Sequence, residues 1–101
     1  MSSHLLVCFV AAAGHADDLE RRLRLAASNL PAVPGCRRAT LYRDKSAAER
    51  FVLLEEWDDE TAHSAHLNVY VQGAEWHSIV ASLSEQPQGR WLHQIGSDTA
   101  C

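Results

Sequence analysis

The eight residues Arg50-Phe51-Val52-Leu53-Leu54-Glu55-Glu56-Trp57 constrain this chain more than any other segment. As a strand, they put Phe51, Leu53 and Trp57 on one face and Val52 and Leu54 on the other. An earlier run, His4 to Val10, behaves the same way, with Leu5, Val7 and Phe9 opposite Leu6, Cys8 and Val10. An antiparallel sheet with one solvated face alternates apolar with polar residues. These two strands do not, so both sheet faces must be covered.

What can do the covering is limited. Ala16, Leu19, Leu23, Ala26, Ala27 and Leu30 recur at helical spacing, with Asp17 and Asp18 in the first turn, where the helix dipole favours negative charge. Pro31 and Pro34-Gly35 end that helix and turn the chain. Cys36–Arg43 reads as a strand joined to Arg50–Trp57 by the polar hairpin connection 44–49. Asp58 is placed to cap a helix through about Leu67. A second helical piece puts Trp76, Ile79, Val80 and Leu83 on one stripe, and Arg90–Ile95 supplies a last strand. The order is βαββαβ, an α+β ferredoxin-like layer with two helices on one face of a four-stranded antiparallel sheet. The helices cover one face only, so a second copy of the chain is expected on the other.

At 101 residues, a single domain over 1–101 is expected, with a polar tail from about Gly96. The net charge of −4, one lysine and scattered arginines exclude a nucleic-acid surface. No apolar run reaches membrane-spanning length and no signal segment is recognised, so a cytoplasmic protein is expected. Cys8, Cys36 and Cys101 are too irregularly spaced for a disulfide framework or a zinc ribbon, and Cys8 reads as a core residue.

Several pieces together, Pro34-Gly35-Cys36, Leu41-Tyr42-Arg43-Asp44, Glu55-Glu56-Trp57 and Ala65-His66-Leu67, resemble the antibiotic biosynthesis monooxygenase family, small dimeric α/β-barrel proteins. The resemblance runs from roughly Leu5 to Ile95 and implies a homodimer with its two sheets face to face. It also implies a monooxygenase without metal, flavin or haem, taking a polycyclic or quinol-type hydroxy-aromatic and dioxygen to a quinone. Trp57 matches the family's strand-end tryptophan, whose indole N–H would donate to a substrate oxygen. His66 matches its Ala-His-Leu and is the expected general base, with His63 one turn earlier as a second. Leu53, Tyr42, Tyr70 and His77 are expected to line the substrate pocket. Leu53 stands where the anthrone oxygenases have an asparagine that contacts the substrate oxygen, a departure that removes one polar anchor.

Two alternatives follow from the same residues. Haem-degrading relatives carry an axial histidine on the helix that holds His77, but their strand-one asparagine and helix tryptophan have no counterpart here. A barrel that binds a small molecule without catalysis would keep the fold; Leu53 favours this reading, and a pocket lined only by apolar groups would strengthen it. His63 and His66 lack the further ligands of a zinc site, so no metal is expected. Of Glu55 and Glu56, alternation turns one inward, and a buried carboxylate there would hold its proton more tightly and could serve as a base. Arg43 and Asp44 read as an ion pair flanking the hairpin turn.

Overall fold

The computed structural model describes residues 2–96; Cys101 and most of the polar tail lie outside them. The elements are β1 (Ser3–Val10), α1 (Ala16–Asn29), β2 (Cys36–Arg43), β3 (Arg50–Trp57), α2 (Glu60–Tyr70), α3 (Ala74–Ala81) and β4 (Gln88–Leu92), with a 3-10 turn at Leu30–Ala32. All strands pair antiparallel in the order β2-β3-β1-β4. This is the expected ferredoxin-like sheet, with the second helical region divided in two.

Register explains which residues reach the core. Leu5 lies opposite Glu55 and Phe9 opposite Phe51, so the inward faces of β1 and β3 coincide. Phe9, Phe51, Leu53 and Trp57 pack there against Leu19 and Leu23 of α1 and Ile79 of α3. Removing such apolar surface from water is the main force holding helices to the sheet, roughly 1.5–3 kcal/mol per large side chain. The outward face carries Leu6, Val10, Val52 and Leu54, all half-buried, with exposed Tyr42 and Leu92. Cys8 also faces outward, where it pairs with Val52 and Gln88, and is not the core residue its apolar neighbours suggested.

Local chemistry moves several boundaries. The cap of α2 is Asp59, whose Oδ1 accepts from Ala62 N at 2.8 Å, while Asp58 accepts from Arg37 Nε at 2.6 Å. The helix runs past Leu67 to Tyr70 because no breaker intervenes before Gly73, which caps α3 in an extended conformation. The last strand is Gln88–Leu92, earlier than Arg90–Ile95, since pairing with His4–Cys8 fixes it there. Arg43 does not pair with Asp44. Its Nη1 reaches Asp17 and Glu20 of α1, both at 3.0 Å, and its guanidinium lies 5.1 Å from the Phe51 ring centre. Asp44 instead accepts from the backbone N–H groups of Ser46 and Ala47, which closes the hairpin turn.

Gly35 is needed for two independent reasons. Its φ of +89° is a left-handed conformation, and a Cβ there would sit 2.5 Å from the Ala62 Cβ. Its carbonyl accepts from Asp58 N at 2.8 Å, so this turn sets the start of α2 against the end of β3.

Candidate active site

Between the inward sheet face and the helices lies a cavity of about 560 Å³, a size typical of small-molecule sites. Its walls are mainly apolar, from Leu5, Val7 and Phe9 of β1, Leu53 of β3, Leu23 of α1 and Ile79 of α3. The polar side chains come mostly from the end of β3 and from α2 and α3: Glu55, His63, His66, Tyr70 and Glu75. Helical spacing accounts for the α2 set, because His63, His66 and Tyr70 fall on the one stripe that faces the sheet.

The rings form a continuous stack. The Trp57 ring centre is 5.3 Å from His63 and 5.7 Å from His66; His66 stacks on Tyr70 at 5.2 Å, and Tyr70 meets Trp76 edge-on at 5.9 Å. His63 also meets Trp91 of β4 edge-on at 5.2 Å. Offset and edge-on contacts of this kind fix ring orientation. Burial pushes both imidazoles below the ordinary histidine pKa, and His63 is lowered further by His66, so both are neutral at pH 7. The Tyr70 hydroxyl donates to Glu75 Oε1 at 2.8 Å, and burial with this bond holds the phenol protonated.

Trp57 is completely buried, and its indole N–H donates to Glu55 Oε1 at 2.7 Å. An indole has a single N–H, so the donor expected to meet substrate is already engaged by a carboxylate. Glu55 is itself only 8% exposed, and burial raises its pKa, opposed in part by the Trp57 bond. Glu55 is the inward member of the Glu55-Glu56 pair. Of the other expected lining residues, Leu53 and Tyr70 reach the cavity. Tyr42 does not: it pairs with Val52 on the outward face and is 53% exposed. His77 is exposed on α3 and outside the cavity, so it is not placed to ligate a haem there. Glu75 and Trp91 line the cavity unforeseen; helical spacing from Tyr70 is broken at Gly73, and Trp91 depends on the register of β4. Among the described residues no group of three or more His, Cys, Asp or Glu could hold a metal ion. No described helix is long and apolar enough to cross a membrane.

The family profile of antibiotic biosynthesis monooxygenases matches residues 4–70. The chain belongs to the antibiotic biosynthesis monooxygenase family. The match takes in β1 to α2, and so includes Glu55, Trp57, His63 and His66. No curated protein matches in sequence. Solved structures share the fold of this family member over nearly its full length. PA3566 from Pseudomonas aeruginosa is 25% identical, with a TM-score of 0.75 over 94% of this chain and 95% of its own. A Deinococcus radiodurans protein is 19% identical, with a TM-score of 0.82 over 100% and 99%. SnoaB, a cofactor-independent oxygenase from Streptomyces nogalater crystallised as a point mutant, is 15% identical, with a TM-score of 0.79 over 95% of each chain.

Proposed function

We propose that this protein is a cofactor-independent monooxygenase that oxidises a polycyclic or quinol-type hydroxy-aromatic with dioxygen to a quinone. The observation that carries the reading is the apolar cavity, with neutral imidazoles and a buried carboxylate at the β3 and α2 end. Family membership and the likeness to SnoaB support it. Flat aromatic rings fit walls of Leu, Phe and Trp, and an apolar site raises the energy of a bound anion enough to favour electron transfer.

In this reading the substrate loses a proton and passes one electron to dioxygen. Superoxide and the carbon radical combine as a peroxide, which is protonated. Loss of the remaining proton from that carbon then breaks the O–O bond, leaving a carbonyl and water. His66 and His63, neutral and able to donate or accept through one ring nitrogen, are assigned to the substrate oxygen and the peroxide. They take over the anchoring that Leu53 cannot provide. A pocket lined only by apolar groups would have strengthened the non-catalytic alternative, and the polar groups of this cavity withhold that support.

The test is dioxygen uptake with an anthrone or a naphthohydroquinone, using protein stripped by exhaustive chelation. Turnover by the stripped protein supports the reading. Turnover lost on chelation and restored by one particular metal overturns it.

A further inference from the structure

We infer that Glu55 is the proton acceptor for a hydroxy-aromatic bound in the cavity, and that Trp57 is the residue that positions it. This rests on the cavity being the substrate site, as proposed above. The two carboxylate oxygens of Glu55 stand in different surroundings. Oε1 is held by the Trp57 indole at 2.7 Å. Oε2 has no hydrogen-bond partner among the described residues. Yet no buried side-chain oxygen of those residues is left unsatisfied, so Oε2 is not sealed in protein. Glu55 itself is one of the residues that line the cavity. One oxygen is thus fixed and the other is free to accept.

Nothing neutralises this carboxylate. No salt bridge reaches Glu55 among the described residues, and no lysine or arginine lines the cavity. The titratable groups around it are Cys36 from β2, His63, His66 and Tyr70 from α2, and Glu75 from α3. The two imidazoles are held neutral by burial, and the phenol is protonated.

Charge conservation favours Glu55 over His66 as acceptor. Transfer to an imidazole turns two neutral partners into an ion pair inside an apolar cavity, which is costly. Transfer to Glu55 Oε2 leaves one negative charge before and after, moved from two oxygens onto a delocalised ring system. Burial, which raises the Glu55 pKa, brings it closer to that of an acidic phenol and makes the transfer more nearly balanced. The substrate O–H or activated C–H breaks, the proton goes to Oε2, and the electron pair stays on the substrate.

The experiment uses dihydroxyanthrone under anaerobic conditions, where ionisation changes its absorption spectrum and no oxidation follows. Wild type should ionise the bound compound near neutral pH. Glu55→Gln, which keeps the acceptor for Trp57 but cannot take a proton, should bind it within about threefold and leave it neutral. Glu55→Asp, a second variant that retains a carboxylate, should ionise it partly. With dioxygen admitted, Glu55→Gln should lose ~100-fold or more in turnover. Trp57→Phe should shift the acidic limb of the ionisation profile upward, because the lost N–H bond stabilised the carboxylate; a purely structural tryptophan would leave that limb in place. Failure of the wild type to bind or ionise dihydroxyanthrone, or equal ionisation by Glu55→Gln, overturns the assignment. Ionisation dependent on Glu55 with no oxidation in air would uphold the assignment and overturn the oxygenase reading.

Discussion

Glu55 and the two cavity histidines leave opposite marks on stability. Glu55 is more basic in the folded chain than at its ordinary value of 4.5, so the folded state binds its proton more tightly. Its contribution is complete below that pH and is lost as pH rises through the raised value. His63 and His66 are less basic than at the ordinary 6.5, so their contribution is complete above 6.5 and is lost as pH falls toward their depressed values. Glu55→Gln should therefore be more stable than wild type at pH 7, by on the order of 1 kcal/mol, and no more stable at pH 4. Urea unfolding at both pH values measures this; a variant weakened at pH 7 would show that the buried carboxylate carries no desolvation cost. His66→Ala should lower turnover about tenfold, the loss of one hydrogen bond to the substrate oxygen, with little change in the unfolding midpoint. Sequence alternation already showed that one of Glu55 and Glu56 turns inward. It could not show that Trp57 and Glu55, two residues apart on one face, bond to each other, because the rotamers that bring same-face neighbours together have no sequence signature.

Among the elements, the joint between β3 and α2 shows what the sequence leaves open. Pro34-Gly35 is recognisable as a turn from residue type alone. Its close approach to Ala62 is not, because the two residues lie far apart in sequence and meet only through folding. Gly35→Ala should destabilise the protein by about 2 kcal/mol or more, from the left-handed backbone and the overlap together. Adding Ala62→Gly should recover the overlap part and leave the backbone part, a separation that a double-mutant cycle in urea would read. The Asp58 and Asp59 exchange has the same origin. Both are good caps, and the choice falls to Asp59 because Arg37, from another strand, takes Asp58. Strand and helix existence were legible from period; ends depended on partners that period does not encode.

For the molecule as a whole, the outward sheet face remains to be covered. Its half-buried Leu6, Val52 and Leu54 agree with the second apolar face read from the sequence, exposed Tyr42 adds to it, and a homodimer through this face is the assembly we propose. Leu54→Glu should shift sedimentation at micromolar concentration toward the chain mass, since a like charge from each copy would meet in the contact. A wild-type protein that sediments as a monomer would remove the proposal. The cavity makes a second demand at this scale. With Glu55 and Glu75 in its wall and no lysine or arginine, it should bind neutral hydroxy-aromatics at least tenfold more tightly than the same rings bearing a carboxylate. Quenching of Trp76 and Trp91 fluorescence by matched pairs of compounds measures the ratio.

Strand β3 divides its labour by parity. Leu53 and Glu55 line the cavity and Trp57 holds Glu55 from the same inward face, while Val52, Leu54 and Glu56 address the opposite face. Odd and even positions are therefore separable alphabets written on one strand. Substitutions confined to odd positions can retune what the cavity accepts while the outer surface keeps its identity, and changes at even positions can alter the surface of the proposed dimer without redrawing the cavity. A lineage of such chains can diversify its cavity and its outer surface on separate schedules, and a combinatorial library that respects the same parity can do so by design.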